Sequence, residues 1–347
     1  MIPTIGYAVD SATSRFKKFE FNRRNLTAHD VHVQILFCGI CHSDIHQARN
    51  EWQNSTYPMV PGHEIVGKVL KVGTHVTKFK PDDIVGIGCF VDSCRECQSC
   101  KHSEEQFCDV HTAFTYNSTE MDLKTPTYGG YSTQMVIDEN YALHIPPNLP
   151  LPNVAPLLCA GITTYSPLKR FKVGSGTKVG IVGMGGLGHM GVKLAVAMGA
   201  DVTVISTSPN KKQDAIQLGA KHFLISTNTA EIKSAANSFD FILNTISAPH
   251  NPNLYLSLLN INGTLVLVGL PETPLTLEAR FLITKNRAFA GSSIGGIKET
   301  QEMLDFCGKH NITSEIELIS PQILDTAYER TLKNDVRYRF VVDLAQS

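Results

Sequence analysis

An α/β chain is predicted, with a doubly wound parallel sheet in its second half joined to a β-rich domain made mostly from its first half. Three observations predict it. Between residues 177 and 293 apolar strands alternate with helical patterns, as in a parallel sheet covered on both faces. Before residue 155, short strands are broken by glycine and by proline at 58, 61, 81, 146, 147, 150 and 152, which argues against long helices. The 347 residues amount to about two domains of roughly 150 each.

Taken in order, VHVQILFCGI (31–40) alternates well enough for a strand, and IVGKVLKVG (65–73) and DIVGIG (83–88) read as two more. Gly62, Gly67, Gly73, Gly86 and Gly88 turn their corners. TKVGIVG (177–183) is a fully apolar strand that passes through a glycine turn into a helix. Strands follow at 201–206, 222–225, 239–245, 263–269 and 288–293, with helices at 209–220, 230–236, 251–260 and 277–285. The tail has helices at 299–310 and 325–333 and strands at 315–320 and 337–344. It does not continue the repeat, so it is expected to fold back onto the first half.

Composition narrows the function. With 31 Lys and Arg against 32 Asp and Glu, the formal charge of −1 offers no field for a nucleic-acid backbone. The N-terminus has no apolar signal region, and no window nears the ~20 apolar residues of a membrane span. A cytoplasmic protein with neither nucleic-acid nor membrane partner is expected. Nine cysteines then point to metal or thiol chemistry in preference to disulfides.

The stretch from 41 to 64, CHSDIHQARNEWQNSTYPMVPGHE, gathers a thiol, imidazoles, carboxylates and a hydroxyl into two short clusters. Thiolate and imidazole suit Zn²⁺, and Cys41 and His63 are the expected ligands. Cys159, in PLLCAG, would be a third and leave one position for water or substrate. Read alone, the same residues are equally a buried thiol and ordinary histidines. A sharper signal lies at 94–108, where Cys94, Cys97, Cys100 and Cys108 follow C-x₂-C-x₂-C-x₇-C. Four thiolates on short polar loops can close a structural zinc shell. An iron–sulfur cluster is the competing reading, but the ferredoxin run ends C-x₃-C-P, whereas here the last gap is longer and Asp109 follows. Cys38, Cys89 and Cys307 lack such partners and read as core or surface thiols.

Gly183, Gly185 and Gly188, with Gly186 and Leu187 between them, satisfy G-x-G-x-x-G after a strand and at the start of a helix, the setting in which the pattern means a dinucleotide site. At the end of the second strand an NAD-binding protein usually places Asp or Glu; this chain has Ser206, Thr207 and Ser208, with Lys211 and Lys212 beyond. Hydroxyls and ammonium groups suit a 2′-phosphate, so NADP(H) is the expected cofactor. Ser208-Pro209 also reads as an N-cap and first-turn proline.

With two metal patterns and a dinucleotide turn in this order, the chain resembles the zinc-dependent medium-chain alcohol dehydrogenases, and more narrowly the cinnamyl alcohol dehydrogenase group. GICHSDIH, YPMVPGHEIVGKV, the four-cysteine lobe, GGYS, APLLCAGITTYSPL, VGIVGMGGLGHMGVKLA and DVRYRF carry the resemblance along nearly the whole chain. It implies a GroES-like catalytic domain from 1–157 and 295–347 around a Rossmann domain at 158–294. It implies Cys41, His63 and Cys159 as catalytic zinc ligands, Glu64 as the ligand that can replace water, and Asp44 as the carboxylate orienting His63. Thr163 and Ser292, Ser293 and Ile294 match positions beside the nicotinamide, and the family is usually a homodimer through its last Rossmann strand.

Two zinc ions per chain and NADP(H) would interconvert alcohols and aldehydes, the metal polarising the substrate oxygen while the nicotinamide carries hydride. Ser43 can bond that oxygen, and His46 can finish a proton relay through the cofactor ribose, unless it is merely a surface histidine. Trp52, Tyr57, Met59 and Phe90 can wall a pocket for aromatic aldehydes such as cinnamaldehyde or benzaldehyde, or belong to the core. Apolar walls discriminate by only about 1–3 kcal/mol per methylene, so broad use including aliphatic aldehydes is expected. An NAD-dependent polyol dehydrogenase of the same fold would lack the third cysteine ligand and prefer an acid near Ser206. A zinc-free quinone reductase would need neither metal set, and a non-catalytic zinc-stabilised binding protein would need only the four-cysteine one.

Overall fold

The computed structural model describes residues 1–271 and 273–345. It divides into two compact units, Met1–Ile162 together with the chain from Gly295 onward, and Thr163–Ile294.

In the first unit the strand Asp30–Gly39 buries Val31, Val33 and Ile35 completely, as its alternation requires. It pairs antiparallel with Ile65–Val72, Gln134–Asp138 and Arg339–Asp343. Ile84–Ile87 and Leu143–His144 extend this seven-stranded sheet on one side and Ile316–Ile319 on the other. The tail therefore lies in the same sheet as the first half, with Val341 opposite Gly39 and Val342 opposite Cys38. Ile2–Ala8 and Lys17–Arg23 form a separate hairpin. The helices before residue 155 are short, as expected: His42–Ala48, Gln98–Lys101 and Leu151–Val154.

The second unit is a six-stranded parallel sheet in the order His222–Ile225, Asp201–Ser206, Lys178–Val182, Phe239–Asn244, Leu259–Leu267 and Ala288–Gly291. Counted along the chain this is 3-2-1-4-5-6, the order of a dinucleotide-binding sheet. Val179, Ile181, Val202, Val204 and Ile205 have no exposed surface. All strands being parallel, the ends at Gly183, Ser206 and Ser292 share the carboxyl edge, where such sheets bind ligands.

Helix 251–260 proves shorter than its pattern suggests. It stops at Leu256, and Leu259 already pairs with Phe239. A short apolar run such as LYLSLL fits either period, and burial of Leu258 and Leu259 decides for the strand. Among the described residues no helix is long and apolar enough to cross a membrane.

Candidate active site and metal centres

Cys41 stands in extended conformation at the N-cap of His42–Ala48. Its backbone N–H donates to Asp44 Oδ2 at 2.8 Å, which brings the carboxylate back over the helix start. Asp44 Oδ1 then accepts from the Gly62 N–H at 3.1 Å and from His63 Nδ1 at 2.9 Å. With Nδ1 so engaged, His63 is left with Nε2 as its ligating nitrogen. Cys159 closes the group, its Sγ 3.9 Å from Cys41 Sγ. Ligand atoms of Cys41, His63, Glu64 and Cys159 all lie within 4.8 Å of one another.

The electrostatics of this group fit a dication. The hydrogen bond from the Cys159 thiol holds Cys41 well below its ordinary value, and the same bond holds Cys159 well above. Two thiolates this close cannot both ionise in a buried site unless a cation lies between them. Burial lowers His63, but Asp44 outweighs it and raises the imidazole. Glu64 has no exposed surface; burial pushes it up to about 8 against the pull of Arg339. One carboxylate oxygen binds the Arg339 guanidinium, while Oε2 is buried without a partner, an orphan that a metal would satisfy. A Cβ at Gly39 would overlap that oxygen, so a larger residue there would displace the Glu64 carboxylate.

The four-cysteine lobe is equally closed. Cys94 and Cys100 sulfurs stand 3.9 Å apart, as do those of Cys97 and Cys108. Sulfurs at a Zn–S length of about 2.3 Å stand about 3.8 Å apart on a tetrahedron, so the lobe fits one ion; a cluster with bridging sulfides would spread them further. The Cys94 N–H donates to Cys108 Sγ at 3.4 Å and the Cys97 N–H to Cys94 Sγ at 3.3 Å, as thiolates require.

Ser43 Oγ lies 3.7 Å from Cys41 Sγ. His46 is buried, not a surface residue: Nδ1 bonds Glu51 and the ring stacks on Trp52 at 5.1 Å. The four apolar candidates separate. Met59 and Phe90 are core, while Trp52 and Tyr57 are half-buried. Cys38 and Cys307 are core thiols, and Cys89 Sγ lies 3.8 Å from the Leu158 carbonyl, beside Cys159. Arg339, Tyr131 and Tyr116, whose ring stacks on His63 at 5.8 Å, escaped the sequence reading. DVRYRF and GGYS contained two of them, but only the folded chain brings Arg339 to Glu64 and Tyr131 to Asp44.

In the second unit Gly183 has φ +93°, and a Cβ at Gly188 would overlap the Gly183 carbonyl. Gly185 has open space around it, as close approach of a pyrophosphate needs. It also precedes the helix Gly186–Ala197 with no side-chain cap, which leaves the first N–H groups, including those of Gly186 and Leu187, for an anion. Lys211 Nζ donates to the Met184 carbonyl at 2.9 Å and so sits on this turn. Ser206 is buried, its Oγ accepting from the Ser208 N–H at 3.2 Å; Thr207 is exposed. Ser208 makes no side-chain cap, so its hydroxyl is not used by the helix. Thr163 is buried in Ala160–Arg170, and Ser292 to Ile294 follow the last strand at the same carboxyl edge.

Residues 27–147 match the alcohol dehydrogenase GroES-like domain, and residues 186–309 match the zinc-binding dehydrogenase family. NADP-dependent alcohol dehydrogenase C of Mycobacterium bovis is 53% identical over 345 residues, 99% of each chain. Aldehyde reductase YahK of Escherichia coli is 52% identical over 335 residues, 96% of each. Among solved structures, a cinnamyl alcohol dehydrogenase of Sorghum bicolor superposes with a TM-score of 0.97 at 45% identity, covering 99% of this chain and 98% of that one. The chain belongs to the zinc-type medium-chain alcohol dehydrogenases, an oxidoreductase family, with cinnamyl alcohol dehydrogenases among its close homologues.

Proposed function

We propose that this chain is an NADP(H)-dependent alcohol dehydrogenase and aldehyde reductase with two zinc ions, acting on a broad range of aldehydes that includes aromatic ones. One observation carries the reading: two thiols, an imidazole and a carboxylate from distant segments converge within 4.8 Å. Zinc held there would supply Lewis acidity toward the substrate oxygen, and a bound nicotinamide would supply or accept hydride. Cys41, His63 and Cys159 hold the ion, with Glu64 in reserve; Asp44 fixes the tautomer and direction of His63. Ser43 passes the substrate proton outward, and His46, oriented by Glu51, takes it toward solvent. Cys94, Cys97, Cys100 and Cys108 hold the second ion.

Lys211 on the glycine turn, with Ser206, Thr207 and Ser208 in place of an acid, supports NADP(H). Half-buried Trp52 and Tyr57 support a partly aromatic pocket. Among the described residues the strand Ala288–Gly291 pairs on one side only, and exposed Ile261, Leu270 and Ile283 share its unit, which supports a homodimer through that edge. Two thiolate sites and free cysteines suit the reducing cytoplasm. The test is zinc content together with NADPH and NADH oxidation over aromatic, aliphatic and sugar aldehydes. Two zincs and NADPH-linked turnover are expected; one zinc with no turnover leaves a zinc-stabilised binding protein.

A further inference from the structure

Tyr131, in the GGYS motif, holds neither metal nor dinucleotide in the reading above, yet it is completely buried. Its hydroxyl donates to Asp44 Oδ2 at 3.3 Å, and the buried Tyr328 hydroxyl, on the tail helix Leu324–Leu332, donates to it at 3.5 Å. The fold secures this phenol from several sides. The Tyr131 N–H donates to the Pro61 carbonyl at 2.9 Å, and its carbonyl accepts from the Tyr7 N–H at 2.8 Å. The Arg23 guanidinium grips the carbonyls of Tyr128, Gly129 and Gln134 at 2.7, 3.2 and 3.1 Å. A Cβ at Gly62 would stand 2.7 Å from the Tyr131 ring, so the residue before His63 must be glycine. Phe16 meets the Tyr131 and Tyr328 rings edge-on at 6.0 and 5.1 Å. A core needing only volume would use phenylalanine, because a buried hydroxyl costs free energy unless it is bonded.

We propose that Tyr131, backed by Tyr328, is a positioning residue for the catalytic metal: its O–H is the fourth donor on Asp44, after Cys41 N–H, Gly62 N–H and His63 Nδ1, and it fixes the carboxylate that aims His63. This rests on the metal reading above. Without that donor Asp44 keeps its other partners but gains freedom to turn, and the orientation of His63 loosens with it. Partners one step behind a metal ligand typically govern affinity by about 10–100-fold.

The test measures zinc dissociation from the holoenzyme by chelator competition, with thermal midpoint, kcat and KM alongside. Tyr131→Phe is expected to raise the dissociation constant of the catalytic site about tenfold and leave the four-cysteine site unchanged. Tyr328→Phe, a milder change that keeps Tyr131, should shift it the same way by less. Adding Tyr131→Phe to Asp44→Ala, which leaves the phenol no acceptor to act through, should change nothing further. Unchanged affinity in both phenylalanine variants of a two-zinc protein overturns the inference. Additive losses in the double variant also overturn it, since they mark a packing role. A wild-type protein that binds only one zinc overturns the metal reading itself.

Discussion

Asp44 is completely buried and accepts four hydrogen bonds, which satisfy its oxygens in a place where water cannot. At the same scale, each proposed ligand has its own consequence. Cys159→Ala is expected to leave one zinc per chain, in the four-cysteine lobe, and to cut turnover by more than the roughly 100-fold that outer partners govern. Metal analysis with steady-state rates checks this, and activity within tenfold of wild type would reject the ligand. Ser206→Asp puts a carboxylate where the 2′-phosphate is expected. Hydrogen bonds to charged groups are worth about 1.5–3 kcal/mol, so the NADPH-to-NADH ratio of kcat/KM should fall roughly 10- to 100-fold. An unmoved ratio would remove the NADP(H) reading.

The strand Asp30–Gly39 and the helix His42–Ala48 are the elements that set the site, and they differ in how well sequence reveals them. The strand shows its alternation openly. The helix does not, because only Ile45 and Ala48 among its seven residues give it an apolar face, and the buried Asp44 and His46 serve the site. At the start of the strand Asp30 is bound by Arg24 Nη2 at 2.9 Å and by the Thr27 N–H at 2.6 Å. Burial works against its charge, but Arg24 and Thr27 outweigh it and hold the carboxyl below its ordinary value. A lowered value means stability that is complete above the unfolded carboxylate range of about 3.9 and lost as pH falls through the folded value. Asp30→Asn should therefore cost about 1–3 kcal/mol near neutrality, and the gap should close only below about pH 4. Thermal midpoints of both proteins from pH 8 to 3 would show this; a gap that closes by pH 6 would contradict it.

For the whole molecule, the edge strand Ala288–Gly291, last in its sheet among the described residues, is the feature most exposed to test. A charge there should blunt strand pairing between copies. Ala290→Lys is expected to give monomers by sedimentation while zinc content stays as in wild type. Dimers that persist would move the proposed interface elsewhere.

Sequence alone determined the features that live within one short segment. The spacing of Cys94 to Cys108 and the glycines from Gly183 to Gly188 are local devices, whose few residues of loop already place the groups together. The alternating parallel sheet was legible for the same reason, since period and apolar runs are properties of each segment. Only the tertiary structure decided which distant residues meet. Asp44 and Tyr131 are 87 residues apart, and Glu64 and Arg339 are 275 apart. Tyr131 and Tyr328 show no periodic sign of their role. Burial and strand pairing bring these residues together, and both depend on the packing of the whole chain more than on any neighbour along it.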